Sequence, residues 1–343
     1  MRKFLLFMVL SISLSAQKTE LIVLKNSIKD RKSLAKSLTF IDNRTDKEIG
    51  NLAPKGETFE VKFADKDLKF RVEKWFSDDN KVKGNNDIVL MLEELKVYSE
   101  KNGDGKASFD KAKVKISSFI KRNNRYYFIN RFDNVILSDP KRNLSAPRYL
   151  ASQISEIITE FINISYVYPV SGNPIPETDI TNYDSYLKIN YKAFNSELKD
   201  GVYKSFKNFY NQLPESEYFV EKNKKGEIAR VKNKNGQSAA LSEIYCIVDN
   251  GKAYRITSAK FEEMHKDDKG FYIISSRKKL LSNSNGSDGI VIGALAAGGI
   301  GALIGGLIEH EVNKGSVNGF GYRSETEMNV YIDSLTGAYV FEK

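Results

Sequence analysis

Ala112-Lys113-Val114-Lys115-Ile116-Ser117-Ser118-Phe119-Ile120 is the stretch on which the fold class turns. Val114 and Ile116 alternate with Lys113 and Lys115, and a period of two places apolar and charged side chains on opposite faces of a strand. Such a strand predicts a sheet with one face on a core and the other in water. Working outward, Ile88 to Tyr98 (IVLMLEELKVY) and Arg125 to Leu137 (RYYFINRFDNVIL) read as its neighbours. Further upstream, Leu38 to Asp42 reads as a short strand ending in the polar turn Asn43-Arg44-Thr45-Asp46. Helices flank this run. Asp65 to Phe76 (DKDLKFRVEKWF) sets Leu68, Val72, Trp75 and Phe76 at helical spacing. Ser145 is expected to cap a second helix, with Leu150, Ile154, Ile157, Ile158, Phe161 and Ile162 along one stripe. Strands in a run with helices before and after predict an α+β fold: a mainly antiparallel N-terminal sheet carrying helices on one face.

Residues 169–178 hold Pro169, Pro174 and Pro176, three of the chain's seven prolines, and are expected to be an extended linker. Beyond it, residues 179–343 carry short aromatic and β-branched runs at 217–221, 228–232, 244–248, 253–257 and 271–274. Lys225-Gly226, Asn235-Gly236, Asn250-Gly251 and Lys269-Gly270 lie between them as turn signals, and a last hairpin is expected around Thr336-Gly337. The second half should therefore be a mostly antiparallel β domain, following an α+β domain over 18–168.

The N-terminus reads as an export signal over residues 1–17. Met1-Arg2-Lys3 is a short positive region, Phe4 to Leu14 (FLLFMVLSISL) an uncharged apolar run too short to span a membrane, and Ser15-Ala16-Gln17 offers a small residue for cleavage after Ala16. The expected location is the periplasm, outer membrane or cell surface of a Gram-negative bacterium. Lys and Arg number 53 against 44 Asp and Glu, and loss of Arg2 and Lys3 lowers the formal charge from +9 to +7. That excess favours anionic lipid or polysaccharide. The lysines are scattered rather than gathered on one helix, and an exported chain is not expected to bind nucleic acid.

No residue set has the spacing of a catalytic or metal site. Cys246 is the only cysteine and sits in the apolar run Ile244 to Val248, so it reads as a small buried hydrophobe. His265 and His310 are the only histidines and lie far apart. Glu100-Lys101-Asn102-Gly103-Asp104-Gly105 is superficially like a calcium loop, but Lys111 stands where the bidentate acid is needed, so a hairpin turn is expected. Neither cofactor nor metal is expected.

The most informative segment is Gly289 to Ile308, GIVIGALAAGGIGALIGGLI, an uncharged run long enough to cross a hydrocarbon core. Gly293, Ala297, Gly301 and Gly305 recur every four positions, with Ala294, Gly298, Ala302 and Gly306 as a second row beside them. On a helix these rows form a groove that lets another helix approach closely, as in a glycine zipper. Glycine costs about 1 kcal/mol per position against alanine in an isolated helix. A membrane, or a second copy of the chain, is therefore the expected partner of residues 289–308.

Asp200-Gly201-Val202-Tyr203-Lys204-Ser205-Phe206-Lys207-Asn208-Phe209-Tyr210-Asn211-Gln212-Leu213-Pro214, followed by Asn250-Gly251-Lys252-Ala253-Tyr254-Arg255-Ile256, resembles a segment pair that recurs in uncharacterised exported proteins of Bacteroidota-type bacteria. That resemblance implies no activity. Through Asp42-Asn43-Arg44 and the order of its strands and helices, the first half resembles small envelope accessory domains that assist outer-membrane lipid transport. Together these features predict a non-enzymatic envelope protein whose zipper segment contacts a membrane or itself. The alternative is a secreted hydrolase or ligand-binding protein with a cleft between its two halves.

Overall fold

The computed structural model describes residues 18–101, 108–138, 145–167, 169–257, 261–281 and 325–340. The fold is α+β, as expected. In chain order the first half contains β1 (Lys18–Ile22), β2 (Ala35–Asp42), β3 (Asn51–Leu52), β4 (Phe59–Phe63), α1 (Leu68–Asp79), β5 (Asn86–Lys101), β6 (Ser108–Arg122), β7 (Arg125–Ser138), α2 (Ala146–Ser165) and β8 (Ser171–Pro176). Then follow α3 (Tyr183–Asn190), α4 (Lys192–Asn195), β9 (Gly201–Tyr203), α5 (Phe206–Tyr210), β10 (Tyr218–Lys222) and β11 (Ile228–Asn233). The last elements are β12 (Cys246–Asp249), β13 (Lys252–Ile256), β14 (Phe261–Asp267), β15 (Gly270–Ser276), α6 (Arg277–Leu281), β16 (Glu327–Ile332) and β17 (Tyr339–Val340).

A five-stranded sheet in the order β2-β5-β6-β7-β8 is antiparallel apart from the parallel β2–β5 pair. On one face Ile88, Leu90, Val114, Ile116 and Ile136 pack against Val72, Trp75 and Phe76 of α1 and the apolar stripe of α2. Asp67 caps α1 by accepting from the Phe70 N–H at 2.9 Å, so the helix starts at Leu68, the first residue of the apolar spacing and three residues into the stretch read as helical. Ser145 does occupy the cap position of α2, but its side chain makes no capping bond. Pro147 in the first turn removes one N–H that would otherwise need a partner.

The opposite face of this sheet is not wet, which corrects the reading of Lys113 as a solvated residue. Val89, Met91, Phe119, Tyr126 and Phe128 share a core with Tyr183, Leu187, Tyr203, Phe209, Phe271 and Val330 of the second half. A sheet buried on both sides explains why Ile88 to Leu92 is continuously apolar. Lys113 is buried and pairs with Asp133, and Lys111 is buried and reaches Glu100 at 2.5 Å. Ion pairing is what allows a lysine on that face to lose its water.

Ser171–Pro176, within the segment read as a linker, is extended as its prolines require and forms β8 against β7. Proline is tolerated there because an edge strand has one unpaired side.

The second half is built on a seven-stranded sheet, β17-β16-β15-β14-β13-β12-β9. Its β12–β13 hairpin closes through Asn250 and Gly251 with φ of 51° and 72°, the left-handed pair that matches strand twist. The sheet curls, because the Tyr245 hydroxyl before β12 donates to the Gly337 carbonyl before β17 at 3.3 Å. A separate hairpin, β10–β11, packs Val231 on Val202, Ile247 and Ile256 of its outer face.

Candidate functional site

The strands on either side of residues 282–324 pair with each other in the seven-stranded sheet. Strand β15 ends at Ser276, α6 follows with Leu280 fully buried, and β16 begins at Glu327 directly opposite Ser276. Lys278 pairs with Glu325 and Lys279 with Glu327, so cation and acid face each other across the two ends. The Ser276 hydroxyl accepts from the Lys279 N–H at 3.2 Å, fixing the first turn after the strand. The eight small residues of the two rows, Gly293, Ala297, Gly301, Gly305, Ala294, Gly298, Ala302 and Gly306, all lie outside the described residues, as does His310.

The returning strand β16 is clamped at the seam between the two halves. Just past it, Asp333 pairs with the buried Arg131 of β7, and its other oxygen accepts from the Leu335 N–H at 2.9 Å, the Thr336 N–H at 2.8 Å and the Thr336 hydroxyl at 2.9 Å. Arg131 also donates to Glu93 at 3.0 Å and to Ser117 at 2.8 Å, bonds to the Tyr183 hydroxyl, and lies over that ring at 4.9 Å. Tyr183 and Ser117 each donate to Glu93 at 2.5 Å, and Lys115 stands 3.5 Å from it. Residues of β5, β6, β7, α3 and the β16–β17 turn thus converge on one buried network.

Burial alone would raise the Glu93 carboxyl, but the charges of Arg131 and Lys115 and the two hydrogen bonds hold it below the ordinary range. Asp333 follows the same logic: burial opposes ionisation, and Arg131 and Lys115 overcome it. Burial, only partly offset by Arg131, lifts the Tyr183 phenol well above its usual value. These carboxylates stay ionised, whereas a general acid would need the opposite shift. Sequence reasoning missed this cluster. Its signal was present as charges embedded in apolar strands, Arg131 between Ile129 and Phe132 and Asp333 after Ile332.

A groove of about 1050 Å³ runs between β4, the start of α1 and the Asp42 to Asn51 loop, with Phe40, Ile49 and Val61 in its lining. Several of its charges are matched: Arg44 and Lys47 hold Asp42 at 2.8 and 3.0 Å, and Lys62 holds Glu60 at 2.6 Å. Burial would raise Asp42, yet Arg44 and Lys47 bring it down to about 2.

Cys246 is fully buried in β12 and burial pushes its thiol far up, so it cannot supply a thiolate. His265 lies on the outer face of the second sheet, its ring 5.4 Å from that of Tyr272. Arg255, also buried, stacks on Tyr245 with its guanidinium 3.9 Å from the ring centre and bonds to the Tyr245 carbonyl. Among the described residues, no three His, Cys, Asp or Glu side chains converge as metal ligands, and no helix is long and apolar enough to cross a membrane. No protein-family model matches this chain, no curated protein is similar to it, and no solved structure matches it.

Proposed function

We propose that this chain is a non-catalytic, exported envelope protein. Its folded body holds residues 282–324 as an excursion, and residues 289–308 contact a membrane or a second copy. The carrying observation is the pairing of Ser276 with Glu327. The strands that flank residues 282–324 pair with each other, so the two ends of the segment face the same compartment. That supports a segment that dips into a bilayer or pairs with its like, in preference to a single crossing. The clamp of Asp333 by Arg131 supports a body rigid enough to carry such a segment. At the seam and in the Asp42 groove the carboxylates are held ionised, so neither place offers the raised acid that an acid-catalysed hydrolase would use there.

The test is fractionation of cells expressing the full chain and a variant lacking 289–308, with membranes washed in high salt and then alkaline carbonate. Retention of the full chain alone supports membrane insertion. Release of both, with a larger assembly formed by the full chain alone, supports self-association. Identical behaviour of the two in both measurements refutes the proposal.

A further inference from the structure

One pole of the first half is built from three loops hydrogen-bonded to one another. The loop before β2 meets the end of α1, where Asp30 N–H donates to Asn80 and Ile28 N–H to Asp79, both at 2.7 Å. The Leu34 carbonyl accepts from the N–H groups of Asn85 and Asn86 at 3.1 and 3.0 Å. Arg122, beside the tight Asn123-Asn124 turn of β6 and β7, donates to the Asn86 side chain at 3.2 Å. The C-terminal end of α2 closes the group, its Tyr166 hydroxyl donating to the Ile28 carbonyl at 2.9 Å. Gly84 allows the loops to meet, since a Cβ there would lie 2.3 Å from the backbone of Leu34.

Two carboxylates of this pole are tied to nearby backbone and hydroxyl groups. Asp30 faces inward and accepts from the N–H groups of Lys32, Leu34 and Ala35 at 3.0, 2.6 and 2.8 Å, while Asp79 accepts from the Ser27 hydroxyl and Ile28 N–H. Lys36 and Lys121 are matched by Asp87 and Glu177. Lys29, Arg31, Lys32, Lys83 and Arg125 remain exposed, and no carboxylate among the described residues pairs with any of them. Val82, 70% exposed, and Leu34, 38% exposed, protrude on the same loops as these cations, and Val167, 52% exposed, lines a recess beside Lys29, Arg31 and Lys32. This recess of about 420 Å³ is lined by the cations Lys29, Arg31 and Lys32 and by the carboxylates Asp30 and Glu160, the first of them already engaged by backbone N–H groups.

We propose that this pole docks on an anionic phospholipid surface, with a lipid phosphate taken into the recess beside Lys29, Arg31 and Lys32 and with Val82 and Leu34 entering the headgroup layer. Unpaired cations around protruding apolar side chains are the composition that combines attraction to anionic lipid with burial of apolar surface. A purely polar polyanion would leave Val82 and Leu34 without a partner. The pole is distinct from residues 289–308 and does not depend on the role given to them.

The experiment is co-sedimentation of the full chain with phosphatidylcholine vesicles, with and without phosphatidylglycerol. The chain should partition at least ten-fold more strongly to the anionic vesicles, and the difference should shrink as salt screens the charges over about 10 Å at 0.1 M. The triple reversal Lys29→Glu, Arg31→Glu, Lys32→Glu should abolish that difference, and so should Lys83→Glu with Arg125→Glu on other loops. Val82→Asp should weaken binding to the anionic vesicles several-fold. Since these side chains are exposed, circular dichroism and the unfolding midpoint should match the parent. Inorganic phosphate at millimolar concentration should compete poorly, which separates a lipid surface from a free-phosphate site. Binding to anionic vesicles that both reversal variants keep overturns the proposal. Tighter pole-dependent binding to dextran sulfate than to vesicles overturns it in favour of an acidic polysaccharide. Loss of the preference for anionic vesicles on deletion of residues 289–308, with that preference kept by both reversal variants, overturns it as well.

Discussion

Arg131 and Asp333 lie 202 positions apart in the chain and form a buried ion pair that joins the first sheet to the turn after β16. Glu93, Ser117 and Tyr183 take three further N–H groups of the guanidinium, so a charge that would be costly in a core has four hydrogen-bond partners there.

Removing one member of this network leaves its partner buried and unmatched. Asp333→Ala is expected to cost about 3–5 kcal/mol, and Arg131→Met to do at least as much because it strands both Glu93 and Asp333. Urea unfolding of parent and variants measures this as a shift in midpoint at unchanged slope. A shift within experimental error would mean that the pair does not join the halves.

Acid should act on the same cluster. Glu93 and Asp333 titrate below their ordinary values of 4.5 and 3.8 in the folded protein. Folding therefore binds fewer protons than the unfolded chain at those pH values. Their contribution is fully present above about pH 5 and is lost as the pH falls through the lowered folded values. The unfolding midpoint of the parent should drop steeply below about pH 4. Asp333→Asn should start less stable at neutral pH and show a shallower acid limb, which a series of urea titrations would reveal.

Cys246 offers a probe of opening. With its side chain fully buried and its thiol pushed up by burial, the native protein should not react with a thiol reagent at neutral pH. The reaction should appear only as urea unfolds the chain, following the same transition as circular dichroism. A fast stoichiometric reaction in native buffer would show that β12 is accessible.

Gly84→Ala should be among the costlier single-methyl changes in the protein. The added carbon would meet the Leu34 and Ser33 backbone at 2.3 Å, and backbone cannot turn aside as a side chain can. A loss of about 1–3 kcal/mol is expected, whereas Gly226→Ala, where nothing stands within 4 Å, should cost less and act mainly through its φ of +80°. Thermal or urea unfolding of the two variants makes the comparison.

The sequence by itself determined the local elements. Alternation over residues 112–120 marked β6, the apolar stripe from Leu150 to Ile162 marked α2, and Asn250-Gly251 marked a tight hairpin, because period and turn chemistry act between near neighbours. Strand β9 and helices α3 to α5 escaped that reading because they are short, and β14 escaped it because Phe261-Glu262-Glu263-Met264-His265-Lys266-Asp267 is largely polar and carries no apolar or β-branched run. Only the tertiary structure decided that the lysine-bearing face of β6 is buried, that a proline-rich stretch completes a sheet edge, and that Arg131 finds Asp333. It also decided that Lys29, Arg31 and Lys83 share one pole and that the ends of the 282–324 excursion meet at Ser276 and Glu327. The physical reason is common to all of these: alternation places a charge on a face, but whether that face meets water or another layer depends on long-range packing. That packing selects among many sequence-compatible pairings by total burial and by the matching of charges that lose their water.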